Sequence, residues 1–180
     1  MSSLPLSLSR RSIALAATAL LALPLAAFGD ATPVVSESLR ITGAVKTPST
    51  LSVAELQALP VDQVAQTDTR TIDGKPVTTD VRGVRLTALL DRAALAGSGR
   101  NDWKHTVVVA SATDGYSVTF SWPELFDTDV GPGVLVIYER DGKPLADREG
   151  RFALYSAKDI HNGPRNVHWL SKIDVRILAP

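Results

Sequence analysis

The chain has 180 residues, 44% of them hydrophobic, with 19 basic and 19 acidic side chains, zero formal net charge and no cysteine. That length and balance fit one globular domain with a sizeable core, and near neutrality excludes nucleic acid as the natural partner, because phosphate backbones select basic patches. Without cysteine no disulfide or thiolate metal site is available, and the fold must rest on packing.

The chain opens on Arg10-Arg11, an apolar run from Ile13 to Phe28, and small residues at Ala27 and Gly29, the three parts of an export signal. Pro24 interrupts the run, which falls short of the ~20 residues a membrane span needs, so no stable span is expected after processing. Cleavage is expected after Gly29 or Ala31. Ser9-Arg10-Arg11-Ser12-Ile13 is a partial twin-arginine signal, with Ile13 where that signal most often carries Phe; an ordinary secretory signal with two adjacent arginines is the alternative. Both routes give a periplasmic or secreted protein. The expected organisation is a signal peptide over 1–31, a linker over 32–38 and a single domain over 39–180.

Leu39 to Val45 reads as a strand, and Ser52 with Glu55 as a capping box that opens a short helix stopped by Pro60. Val61 to Asp80 is polar and rich in Thr and Asp, with a turn signal at Asp73-Gly74, so two strands or a strand and a long loop are expected. Val84, Leu86, Leu89, Leu90, Ala93 and Ala94 recur at helical spacing, with Gly97 as the expected stop. Thr106 to Ala110 predicts a strand buried on both faces, turned by Asp114-Gly115 into a second strand over Tyr116 to Phe120. Ser121 and Glu124 form another capping box around Pro123. Leu135 to Tyr138, Phe152 to Tyr155 and the alternation of Ile173, Val175 and Ile177 predict further strands, with Asp141-Gly142 as a hairpin turn. Irregular mixing of strands and short helices predicts the α+β class.

One stretch carries chemistry. Gly163-Pro164-Arg165-Asn166-Val167-His168 places an Arg, an Asn and a His beside a Gly-Pro turn ahead of a strand. The guanidinium fork suits phosphate or carboxylate, and the glycine admits close backbone approach. The alternative is a solvated turn whose Arg makes a surface ion pair. Asp159, His161, His168 and His105 fit no compact metal-ligand spacing, so no metal site is expected from them. Serine-nucleophile, phosphate-loop and dinucleotide glycine motifs are absent.

The pattern formed by Gly163, Arg165, Val167, Trp169, Leu170, Ile173 and Val175 resembles the segment near the end of the molybdopterin domain of sulfite oxidases. Val134 to Leu145, with Tyr138-Glu139, Asp141-Gly142 and Pro144-Leu145, resembles the same family's Leu-Ala-Tyr-Glu-x-(Asn/Asp)-Gly-x-Pro-Leu run, in the same order. Weaker matches at Gly43, Arg82 to Leu86 and Asp114 to Tyr116 extend the likeness from Leu39 to Ile177. The resemblance implies a sulfite oxidase molybdopterin-domain-like fold of mixed sheets with short helices, and a molybdopterin-dependent oxidoreductase activity. It also implies an anion or cofactor cleft around Arg165, with Asn166, His168, Gly163 and His161 beside it. His168 stands where the family often has a lysine.

In the family a cysteine thiolate holds the metal, in the region corresponding to Val64 to Thr71; this chain has none, which argues against molybdenum catalysis while leaving pterin binding open. Catalytic residues are therefore unassigned, the candidates being Asp68, Thr69 and Tyr116. The resemblance further implies that Val64 to Asp80 lines the same cleft as Arg165. The alternative function is a cofactor-free periplasmic binding module for a small anionic ligand or a protein partner. No redox partner is indicated.

Overall fold

A computed structural model describes residues 34–59, 63–72, 74–161 and 163–179. The export signal, Pro60 and Asp73 of the expected turn lie outside the described residues. Ten strands and three short α-helices follow in the order β1 (Leu39–Gly43), β2 (Ser49–Leu51), α1 (Val53–Gln57), β3 (Gln63–Ile72), β4 (Lys75–Arg85), α2 (Leu86–Ala93), β5 (Thr106–Ala112), β6 (Ser117–Ser121), α3 (Trp122–Phe126), β7 (Val134–Arg140), β8 (Lys143–Pro144), β9 (Ala153–Ser156) and β10 (Leu170–Ile177).

The strands form two five-stranded sheets. The first has the order β2-β1-β10-β5-β6, and the second β3-β4-β7-β8, with β9 also pairing β7. β1 runs parallel to β10 and the other pairs are antiparallel. The main core lies between the sheets, where Ile41, Val108, Phe120 and Ile173 meet Val84, Val134, Val136 and Tyr138, closed by Leu56 of α1 and Leu89 and Leu90 of α2. Leu135 and Ile137 of β7 face the other way, into a second cluster with Val81, Ala153 and Tyr155. β7 is thus covered on both faces, which is why its sequence is an unbroken apolar run.

Both capping boxes form. Ser52 Oγ accepts from the Glu55 N–H at 3.3 Å while Glu55 returns a bond to the Ser52 N–H at 2.7 Å, and Ser121 and Glu124 repeat the arrangement at 3.1 and 3.3 Å. Each satisfies N–H groups that a helix start leaves unpaired.

The expectations for α2 and β5 need correction, while the polar stretch takes the first of its two expected forms. α2 begins at Leu86, because Val84 belongs to β4, and it ends at Ala93 rather than at Gly97. The carbonyls of Ala93 and Ala94 accept from the Thr47 and Lys46 N–H groups at 2.9 and 2.8 Å, so tertiary contacts stop this helix. β5 is not buried on both faces: Thr106, Val108, Ala110 and Ala112 are buried, while Val107, Val109 and Ser111 are only half-buried. The polar stretch resolves into two long strands, β3 and β4, paired along ten residues from Gln63↔Val84 to Ile72↔Lys75.

Gly83 sits where β4 crosses β7. A Cβ there would stand 2.2 Å from the Val136 carbonyl oxygen, so only glycine lets the strands pair. One residue further, the register slips: Gly83 opposes Ile137 but Arg82 opposes Glu139, leaving Tyr138 as the extra residue of a β-bulge.

Candidate functional site

Arg165 lies on the loop between β9 and β10. Gly163, at φ +118°, makes the turn, and the Asn166 N–H bonds back to the Gly163 carbonyl at 2.8 Å. Space around Gly163 is open, so the glycine is required by its backbone angle and not by crowding. Asn166 Oδ1 accepts from the Ser156 N–H at 2.9 Å and ties the loop to the end of β9. Tyr116, from the β5–β6 turn, donates its phenol proton to the Pro164 carbonyl. His161 and His168 are exposed, the His168 ring edge-on to Trp169 at 6.0 Å. The structure therefore brings Gly163, Arg165, Asn166 and Tyr116 together at one corner.

Arg165 pairs with carboxylates of the chain itself, as in the alternative expected for this turn. Its Nε donates to Asp159 Oδ2 at 2.9 Å, Nη2 to Asp159 Oδ1, and Nη1 to Glu124 Oε1 at 2.6 Å. The guanidinium also lies 4.5 Å over the Phe120 ring. Bidentate pairing with Asp159, helped by Glu124, holds Arg165 still more firmly protonated than usual. Burial pushes the Asp159 carboxyl up, but hydrogen bonds from Arg165 outweigh it and hold the group below the usual carboxylate range. With its Nε–Nη2 edge held by Asp159 and Nη1 held by Glu124, the guanidinium has no disengaged fork to offer a phosphate. Glu124, which the sequence marks only as a helix cap, supplies part of this hold.

The strand-rich polar stretch stands elsewhere. β3 and β9 are at opposite sides of β4 and β7. β9 reaches the loop of Arg165 at the Val134 end of β7, whereas the β3–β4 hairpin extends past the Arg140 end. At ~3.3 Å per residue, Thr69 and the start of that loop are separated by roughly 30 Å along the sheet. The common cleft implied by the resemblance is therefore not formed. Thr69 Oγ1 pairs across the hairpin with Thr78 Oγ1 at 3.0 Å. Asp68 is on β3, opposite Thr79, and its side chain lies outside the described residues.

The base of the hairpin is concave. One cavity of about 340 Å³ is lined by Ala65, Gln66, Thr67, Asp80, Arg82 and Glu139. A second of about 410 Å³ shares Ala65, Arg82 and Glu139 and adds Gln63 and Tyr138. The bulge lets consecutive residues Tyr138 and Glu139 border the same cavity. The Arg82 side chain is 55% exposed, and its Nε is 3.8 Å from Glu139 Oε1, too far for a hydrogen bond. Tyr138 donates to Gln63 Oε1 at 2.6 Å, while Gln63 Nε2 donates to the Leu56 and Leu59 carbonyls at 2.7 and 3.0 Å. Burial raises the Tyr138 phenol above its ordinary value, with Glu139 adding to the rise and Arg82 opposing it. Sequence reading missed this groove because Arg82 and Glu139 become neighbours only through the β4–β7 register; the one signal was polar Glu139-Arg140 ending an apolar run.

The sequence profile of the family described as "oxidoreductase molybdopterin binding domain" matches residues 31–177. The chain belongs to that family. Sulfane dehydrogenase SoxCD from Paracoccus pantotrophus has a similar fold, with a TM-score of 0.61 at 16% identity, over 78% of this chain and 38% of that one. At that identity the likeness shows the fold alone, the α+β arrangement of mixed sheets and short helices expected from the sequence, and this chain spans well under half of the SoxCD chain. No curated protein matches.

Molybdopterin-family membership raises the question of fit. The chain offers no thiolate for a metal, and among the described residues no three His, Asp or Glu side chains cluster as ligands. The arginine expected to hold the pterin phosphate is engaged by two carboxylates. These donors do not suit the family's metal, and the corner around Arg165 does not suit its phosphate. No helix among the described residues is long and apolar enough to cross a membrane.

Proposed function

We propose that this chain is an exported, metal-free member of the molybdopterin-binding domain family that binds a small anionic ligand over Arg82. The observation that carries the reading is the contrast between two arginines. Arg165 gives its Nε and both terminal nitrogens to Asp159 and Glu124, whereas Arg82 is exposed at the junction of two adjoining cavities with its nearest carboxylate among the described side chains at 3.8 Å. A guanidinium without a tight partner among the described side chains keeps its planar fork for an incoming carboxylate or sulfate. Molybdenum redox chemistry stays with relatives that supply the soft ligand. Export to the periplasm is supported by Arg10-Arg11, the apolar run to Phe28 and the small residues after it.

Protein purified from a host able to make molybdopterin should carry molybdenum well below one atom per chain, and mass spectrometry should find the leader removed between Phe28 and Thr32. Titration with sulfate, followed by amide NMR, should shift Ala65, Arg82 and Glu139, and Arg82→Gln should abolish those shifts. Stoichiometric molybdenum would overturn the metal-free reading. Sulfate shifts centred on Gly163 to His168 would return the anion site to the Arg165 corner.

A further inference from the structure

We infer that the outer edge of β3 is a self-association surface, on which a second copy of this chain pairs antiparallel about a two-fold axis at Thr69. β3 has ten residues and, among the described residues, β4 as its sheet neighbour on one side only. The edges of the other sheet are far shorter, β2 with three residues and β6 with five. Every second residue of an edge strand turns its N–H and C=O away from the sheet, so β3 offers a row of backbone groups along its length. Beyond Val81 the hairpin leaves the core: Thr67 and Thr69 on β3, and Lys75 to Thr78 and Asp80 on β4, are exposed. A two-stranded ribbon with neither face packed is marginal in water, and further strands stabilise it.

The usual protections of an edge are sparse here. β3 contains no proline and no lysine, and its proline neighbour, Pro76, is on the inner strand β4. Threonine at 67, 69 and 71 favours pairing.

The sequence also selects the occupant and its register. With the two-fold axis at Thr69, Asp68 of each copy stands opposite Arg70 of the other, and Thr67 opposite Thr71. Moving the axis to residue 68 or 70 sets Asp against Asp or Arg against Arg, directly opposite and therefore unfavourable. An in-register parallel pair does the same. Only the antiparallel arrangement about Thr69 gives two opposite-charge pairs, and it is isologous, so it closes as a dimer. The resulting dimer carries one sheet across both copies, β7-β4-β3 meeting β3-β4-β7. This association does not depend on the ligand proposed for Arg82.

Because the chain has no cysteine, one introduced thiol reports the geometry. Residues directly opposite in an antiparallel pair have Cα atoms about 4.5–5.5 Å apart, within disulfide reach. Thr69→Cys in the full chain should therefore cross-link to a dimer under mild oxidation, while Thr78→Cys, on the inner strand, should not. Sedimentation equilibrium should show the unmodified chain as a dimer, Asp68→Arg and Arg70→Asp as monomers, and the double exchange Asp68→Arg with Arg70→Asp as a dimer again. A monomeric unmodified chain at millimolar concentration overturns the proposal. So does equal cross-linking through position 78, or a dimer that neither single charge reversal weakens.

Discussion

Arg165→Ala should destabilise the domain by about 2–3 kcal/mol. Breaking a buried ion pair by removing one partner costs ~3–5 kcal/mol, whereas an exposed pair is worth ~0–1 kcal/mol. The cluster lies between these limits: side-chain exposures are 26% for Arg165, 8% for Asp159 and 29% for Glu124. Asp159 is the group left stranded, and it sets the size of the loss. With a urea slope of ~2 kcal/mol/M, the midpoint should fall by about 1–1.5 M, and Tm by ~5–10 °C.

The pH dependence supplies the sharper check. Because the folded pKa of Asp159 is depressed, its pairing stabilises the protein fully above the ordinary value near ~4 and is lost as pH falls through the lower, folded value. The gap between wild type and variant should be widest at neutral pH and shrink in acid, as Asp159 is protonated in both. Urea unfolding followed by tryptophan fluorescence between neutral and acidic pH measures it. A loss under ~0.5 kcal/mol, or a gap constant with pH, would refute the placement of Arg165 as an internal staple.

Gly83→Ala should cost about 2–3 kcal/mol, because its Cβ meets the Val136 carbonyl oxygen at 2.2 Å and forces β4 off β7; the urea midpoint reports it. Tyr138→Phe should cost about 1 kcal/mol by leaving Gln63 Oε1 without its donor. Since burial raises the Tyr138 pKa, this residue's share of stability is intact below ~10 and is lost as pH rises through the folded value, a loss the Phe variant should lack in alkaline unfolding curves. Ser121→Ala should cost about 1 kcal/mol as a lost cap. Combined with Arg165→Ala it should fall short of additivity, because both act on Glu124.

Local signals carried far in this sequence. Ser52 with Glu55 and Ser121 with Glu124 start helices where the capping pattern says they should, and the Asp141-Gly142 turn takes positive φ at both residues, 51° and 72°, as a tight hairpin demands. What failed depended on pairing. Gly97 looked like a helix stop, but α2 ends earlier because its last carbonyls are taken by Lys46 and Thr47, some fifty positions away in sequence. At the candidate site, the corner of Gly163, Asn166 and Tyr116 was legible from turn chemistry. The engagement of Arg165 was not, since Glu124 comes from another helix and Asp159 from the approach to the turn. The groove at Arg82 was illegible for the same reason, its shape depending on a one-residue slip between β4 and β7.

The place of β10 has a consequence for how the chain assembles. It lies between β1 and β5, parallel to the first strand of the domain through Arg40↔Lys172 to Gly43↔Val175. Among the described residues β1 therefore has only the three-residue β2 beside it until β10 pairs with it. The first sheet is completed only when β10 joins it, over a loop spanning nearly the whole domain, and such long-range closure slows folding. Until then Ile41, Ile173 and Val175 are uncovered, so the unfolded chain depends on being kept from aggregation before β1 and β10 pair.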